Sequence, residues 1–200
     1  MADSTYHHGN LRESLINLGI AHLDEKGAEN ISLRALAREI GVSQTAPYRH
    51  FEDKNQLLSA IAINGFDIMA HSISDAITDL DDQPPKYLKA MARSYILFSL
   101  ENTEVFKLMF GPILGDRKSY PELLAAGQRS FKLIEKSLQT GVDTGIFSIE
   151  DITITANSVW ASIHGVASLM QDRFDRFPDA SGDKQIDSMF DILLNGICSK

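Results

Sequence analysis

Gln44, Thr45 and Arg49 are side chains that can read base edges, and all three fall between positions 44 and 49. A glutamine amide can form two hydrogen bonds to adenine and a guanidinium can do the same to guanine. Threonine offers its methyl to thymine or its hydroxyl more generally. This chemistry requires the three to lie on or beside the exposed face of a short helix whose N-terminal end enters the major groove. Lys54, at the start of the next helix, is a phosphate candidate beside the free amides of that helix N-terminus. Ser32 and Arg34 begin the preceding helix, and Arg12 lies near the N-terminal arm; these three can flank the other strand.

The elements that would position them are two short helices joined by Gly41-Val42-Ser43. Ser32 is a suitable N-cap, with Ile31 and Leu36 set to form a hydrophobic staple around it. Leu33, Leu36, Ala37 and Ile40 make one apolar face. Ala37 is small enough for close helix approach, Gly41 can take the positive φ of a tight turn, and Val42 can plug the angle between the helices. Ser43 is expected to cap a short helix over 44–51. Asp53, with Gln56 three residues on, is expected to cap a long helix beginning at Lys54 and running to about residue 79. An ordinary helical hairpin with a glycine turn meets some of these demands too. Phe51 reads as core, and Tyr48 as either core or contact, since a tyrosine ring can pack while its hydroxyl reaches out.

The run from Leu33 to Leu58 resembles the signature of the TetR family of bacterial regulators. Leu36, Ala37, Gly41, Val42, Ser43, Tyr48, His50, Phe51, Lys54 and Leu57 match its pattern in order and spacing. Tyr6-His7-His8-Gly9-Asn10-Leu11-Arg12 and Trp160-Ala161-Ser162-Ile163-His164-Gly165 resemble the branch whose C-terminal domain is named for a Trp-His-Gly motif. The resemblance implies a DNA-binding regulator, with repression as the family default, and it implies phosphate contacts for Tyr48 and His50. Thr45 stands where many members carry glycine, and Pro47 where many carry an aliphatic residue. Both differences lie on the DNA-reading face, so no operator sequence carries over. Pro47 removes one early backbone donor and stiffens the first turn.

Composition argues less directly. Net charge is −8, and residues 1–60 carry six Lys/Arg against eight Asp/Glu. A dedicated nucleic-acid binder is usually basic, so few phosphate contacts and a modest salt dependence are expected. The single cysteine, Cys198, excludes an intrachain disulfide framework. No apolar run approaches the ~20 residues of a membrane span, and the N-terminus lacks a secretory pattern. A soluble cytoplasmic protein is expected. Zinc-ligand spacing, phosphate-cradling loops and nucleophile elbows are absent from the sequence, so neither cofactor nor metal is expected; an all-helical enzyme is the rival class.

Helical periodicity continues through the chain, with further helices expected at 86–101, 103–110, 119–141, 150–175 and 184–198, about nine in all. The expected organisation is all-α: a DNA-binding domain over 1–53, and a helical ligand-binding and dimerisation domain over 54–200. Tyr95, Phe98, Phe106, Met109, Phe110, Phe131, Trp160 and His164 either line a cavity for a small apolar effector or form ordinary core. Trp160 and His164 share one helix face, and His164 can serve a ligand or a buried carbonyl. Ile186, Met189, Phe190, Leu193, Leu194 and Ile197 form a stripe on the last helix. Ile154, Val159, Ile163, Val166 and Met170, with small Ala156, Ala161, Gly165 and Ala167 among them, occupy the helix before it. The two stripes suggest a two-fold homodimer, suited to double-stranded DNA carrying a palindromic operator, and part of each must face its own subunit. A DNA-binding adaptor without a small ligand is the remaining alternative.

Overall fold

Glycines and prolines set most of the element boundaries. A computed structural model describes residues 11–171 and 183–197, the side chains of 183, 185 and 197 excepted. Among the described residues there are eight α-helices, three 3-10 segments and no strand: α1 (Leu11–Lys26), α2 (Leu33–Ile40), α3 (Lys54–Ala76), α4 (Pro84–Glu101), α5 (Thr103–Phe110), α6 (Pro121–Asp143), α7 (Ile152–Gln171) and α8 (Asp183–Ile197). The 3-10 segments are Ala28–Asn30, Ala46–Arg49 and Arg117–Ser119.

The all-α expectation holds, and the ninth expected helix, over 44–51, is the 3-10 segment Ala46–Arg49 instead. α4 starts at Pro84 rather than 86, because prolines fit the first helical turn, where no backbone donor is needed. α3 ends at Ala76, three residues early, and the turn after it puts Asp79 at a positive φ of 63°. The break expected from Phe177 to Asp183 lies outside the described residues up to 182, as does the end of the helix expected to reach 175.

By packing, the chain forms two compact units. The first contains α1, α2, the 3-10 segment Ala46–Arg49, α3 as far as Gly65, and residues 104–123. The second contains residues 66–103 and 124 onward. This division by packing differs in kind from the division by role expected at 53/54.

In the first unit Leu15, Leu23, Leu36, Leu57, Leu58 and Ile61 are fully buried. α1 lies close against α3 at Gly19, where a Cβ would stand 2.8 Å from Ile61 Cδ1. α5 closes on α3 at Gly65, where a Cβ would stand 2.6 Å from Val105 Cγ1. In the second unit, Tyr87, Leu88 and Ile96 of α4 are buried, as are Ile134 and Leu138 of α6, Val159 and Ile163 of α7, and Ile186 and Phe190 of α8. Lys89 Nζ donates to Asp191 at 2.6 Å and Arg93 to Asp187 at 3.1 Å, so two successive turns of α4 are tied to two of α8.

α3 is long and apolar enough to cross a membrane by length and composition alone, although Asn64, Asp67 and His71 interrupt its apolar residues. Over half of its apolar window, 56%, is buried inside the protein, which fits a core helix.

Candidate nucleic-acid interface

α2 buries Leu33, Leu36, Ala37 and Ile40 as the spacing predicts. Gly41 ends it in the left-handed region, at φ 83° and ψ 25°. Its N–H donates to Arg38 O at 3.2 Å and the Val42 N–H to Ala37 O at 2.9 Å, so two of the helix-end carbonyls are satisfied through the turn. Ser32 makes no side-chain cap bond; it contributes its carbonyl, which accepts from the Leu36 N–H at 3.0 Å.

The expected cap at Ser43 is also corrected. Its hydroxyl lies 3.2 Å from the Thr45 hydroxyl, and the cap position moves to Thr45, because the turn after it begins at Ala46. Within that turn Pro47 is buried while Gln44, Thr45, Tyr48, Arg49 and His50 are exposed. Tyr48, at 45% exposure, is a surface side chain, whereas Phe51, at 3%, is core. The five exposed side chains give the stretch after the Gly41 turn a polar and aromatic surface, of residue types able to meet base edges and phosphates.

The flanking candidates have partners of their own. The Arg12 guanidinium sits 5.5 Å from the centre of the Phe51 ring, a cation–π contact that ties α1 to the end of the stretch after the Gly41 turn. Lys54 Nζ donates to the Glu29 carbonyl at 2.7 Å, leaving two further ammonium donors at the start of α3. Asp53 Oδ1 accepts from the Gln56 N–H at 2.8 Å, the cap that the sequence predicts. Arg34 is exposed on the first turn of α2.

One contact escapes the sequence reading. His22, buried on α1, lies with Nε2 2.9 Å from Glu39 Oε2 on the last turn of α2. Its place on the apolar face of α1, next to Leu23, was the available signal. A buried imidazole needs a partner, and the partner lies on the helix that leads into the Gly41 turn.

The ligand candidates fall into two groups. Phe106, Met109 and Phe110 belong to the first unit: Phe106 and Phe110 rings lie 4.8 Å apart, and Met109 packs where α5 meets Gly65. Tyr95, Phe98, Phe131, Trp160 and His164 belong to the second. There Tyr95 Oη lies 2.9 Å from His164 Nδ1, and Trp160 stacks on the imidazole at 5.2 Å and 24°. Burial pushes the Tyr95 phenol well up, against a smaller opposing effect of a hydrogen bond with Trp160, so it stays protonated. Burial also pushes His164 below the usual histidine range. Phe98 is buried, and with Ile68, Ser72, Ala90, Ser94 and Leu97 it borders a groove of about 380 Å³ between the second half of α3 and α4. Phe131 is half-buried on α6.

Two family models match the chain. Residues 15–61 match the one described as bacterial regulatory proteins, tetR family. Residues 88–196, over half of the chain, match the one described as tetracyclin repressor-like, C-terminal domain. The HTH-type transcriptional regulator Rv1816 of Mycobacterium tuberculosis is 24% identical over 143 residues, which are 70% of this chain and 61% of that protein. The chain thus spans about three fifths of the length of that relative. The nucleoid occlusion factor SlmA of Shewanella putrefaciens is 26% identical over 184 residues, covering 88% of this chain and 91% of the relative. A solved structure from Rhodococcus sp. RHA1, of a protein with unknown function, shares 27% identity with a TM-score of 0.84, covering 98% of this chain and all of that one.

Proposed function

The chain belongs to the TetR family of bacterial regulatory proteins, and on that premise we propose that it is a sequence-specific DNA-binding transcriptional regulator rather than an enzyme. It acts as a repressor, binds a palindromic operator as a homodimer, and leaves DNA when a small, largely apolar molecule binds. The observation that carries this reading is the Gly41-turned helix pair, which exposes Gln44, Thr45, Tyr48, Arg49 and His50 around the buried Pro47 and Phe51.

Gln44, Thr45 and Arg49 contact base edges; Tyr48, His50 and Lys54 hold phosphates; Ser32, Arg34 and Arg12 flank the site. Residues 1–53 carry DNA binding and 54–200 ligand binding and dimerisation. The effector meets Tyr95, Phe98, Phe131, Trp160 and His164 of the second unit. Because α3 runs from the first compact unit into the second, a ligand that favours one position of α3 changes how two reading heads are spaced. Dimerisation uses the outer faces of α7 and α8, where Ile154 and Ile192 are exposed.

A second reading is a DNA-bound adaptor with no small ligand; the chain is also similar, over 91% of that protein's length, to one named a nucleoid occlusion factor. The test is a selection from randomised duplex DNA followed by a screen of apolar small molecules for release. Selection of an inverted repeat with ligand-dependent release supports the regulator. Selection without release by any compound, together with no change in expression of neighbouring genes on deletion, supports the adaptor. No selection at all overturns both.

A further inference from the structure

The Ser43 carbonyl is the point at which the reading segment departs from an α-helix. In an α-helix this oxygen accepts from the N–H four residues on, and that residue is Pro47, which has none. It accepts from the Ala46 N–H at 2.9 Å instead. The same shorter pattern continues, with the Tyr48 N–H on Thr45 O at 3.3 Å and the His50 N–H on Pro47 O at 2.9 Å. An α-type bond returns only at Phe51, whose N–H reaches Pro47 O at 3.0 Å. The proline itself is buried, so a residue fixed in the interior governs the pitch of an exposed row.

Pitch decides which side chains share a face. A 3-10 turn has about 3.0 residues and rises about 2.0 Å per residue, against about 3.6 and 1.5 Å for an α-helix. Between Ala46 and Arg49 the difference amounts to about 60° of rotation and about 1.5 Å of length. In the 3-10 form, side chains three apart eclipse, so Thr45 aligns with Tyr48 and Arg49 with the small Ala46. In an α-form, side chains four apart would pair, putting Thr45 with Arg49 and Gln44 with Tyr48.

We propose that Pro47 is a specificity-determining positioning residue: by withholding its N–H it holds Ala46–Arg49 in 3-10 pitch and thereby sets which base positions Thr45, Tyr48 and Arg49 reach. The inference rests on the reading of this segment as the base-reading element. Pro47 touches no base; it acts through the backbone that carries the residues which do.

The test uses the full chain, a randomised duplex library, and the variants Pro47→Val and Pro47→Ala. Valine keeps much of the buried apolar bulk and restores the N–H; alanine restores the N–H with less bulk. Both variants are expected to select one shared half-site that differs from the wild-type one. Each should bind the wild-type site about tenfold or more weakly relative to its own, with the slope of affinity against salt unchanged. A merely structural role would lower affinity for every sequence alike. Selection of the wild-type half-site by both variants overturns the proposal. So does a change confined to Pro47→Ala, since bulk would then be the cause. If the wild-type chain selects no sequence, it is the DNA-binding reading that has failed. Nuclear Overhauser contacts in the wild-type chain give an independent measurement, free of any variant's folding. Contacts from the Hα of Ala46, Pro47 and Tyr48 to the amides of Tyr48, Arg49 and His50 respectively are expected. A pattern reaching four residues on instead would overturn the proposal.

Discussion

Tyr95 Oη and His164 Nδ1 lie 2.9 Å apart, joining α4 to α7 through one hydrogen bond between a buried phenol and a half-buried imidazole. The phenol stays protonated, so the contact joins a neutral hydroxyl to a ring nitrogen. Burial holds the folded His164 below the usual histidine pKa, so on acidification the unfolded chain takes up its proton first. The stability that the neutral imidazole contributes is present above about pH 6.5 and declines as pH falls below it, towards the lowered folded value. Melting temperatures between pH 8 and pH 5 should fall on the acid side, and His164→Gln should flatten that part of the curve. An unchanged acid limb in the variant would contradict this account.

Two glycines should respond to alanine for different reasons. At Gly41 a Cβ meets nothing within 4 Å, so the cost is that of holding alanine at φ 83°, about 1–2 kcal/mol. Gly41→Asn should recover part of the loss, because asparagine tolerates that region. At Gly141 a Cβ would overlap the body of the Phe147 ring, and overpacking of this kind costs about 1–3 kcal/mol. Asparagine should make that site worse. Chemical denaturation of the four variants separates the two causes.

The His22–Glu39 pair should prove to position α2 for DNA binding. Glu39→Ala leaves a buried ring nitrogen without its 2.9 Å partner, a loss of about 1–3 kcal/mol. The lower end is expected because the Glu39 side chain is 54% exposed and water can enter. Glu39→Gln keeps an acceptor and should restore both melting temperature and DNA affinity. If Glu39→Ala changes neither quantity, the pair is incidental.

What the sequence made legible was local. Leu33, Leu36, Ala37 and Ile40 announce one apolar face, and Gly41 announces its end, because both signals lie within a few residues of the structure they specify. The Asp53 cap is of the same kind. Pro47 was visible as a missing donor, but its effect falls on the carbonyl of Ser43 and moves the cap to Thr45, which spacing alone does not show. His22 and Glu39 are 17 residues apart, and only folding brings them together. Apolar stripes on α7 and α8 were equally clear, yet a stripe reveals which face avoids water and not what covers it. Val159, Ile163, Val166, Met170, Ile186, Phe190 and Leu194 are buried within their own chain. Ile197 has no described side chain to compare.

The surface left for a partner copy is therefore narrower than the stripes suggested. Ile192 is 74% exposed and Ile154 64% exposed, on α8 and α7 respectively. Ile192→Asp and Ile154→Asp should leave the melting temperature of the subunit nearly unchanged, since neither side chain is in the core. Each should shift sedimentation from dimer to monomer and weaken binding to a two-half-site operator more than to a single half-site. Leu193→Asp, at a half-buried position, should do both and also destabilise the fold. A wild-type chain that sediments as a monomer at micromolar concentration would remove the dimer from the proposal.

Fluorescence anisotropy on the selected operator tests the central claim most directly, with wild-type, Arg49→Ala and Lys54→Ala chains compared on specific and scrambled DNA. Arg49→Ala should cost about 1–3 kcal/mol on the operator and little on scrambled DNA, relaxing specificity at one base position. Lys54→Ala should weaken both alike and reduce the salt slope by about one. Operator binding untouched by either substitution would contradict the assignment of this surface to DNA.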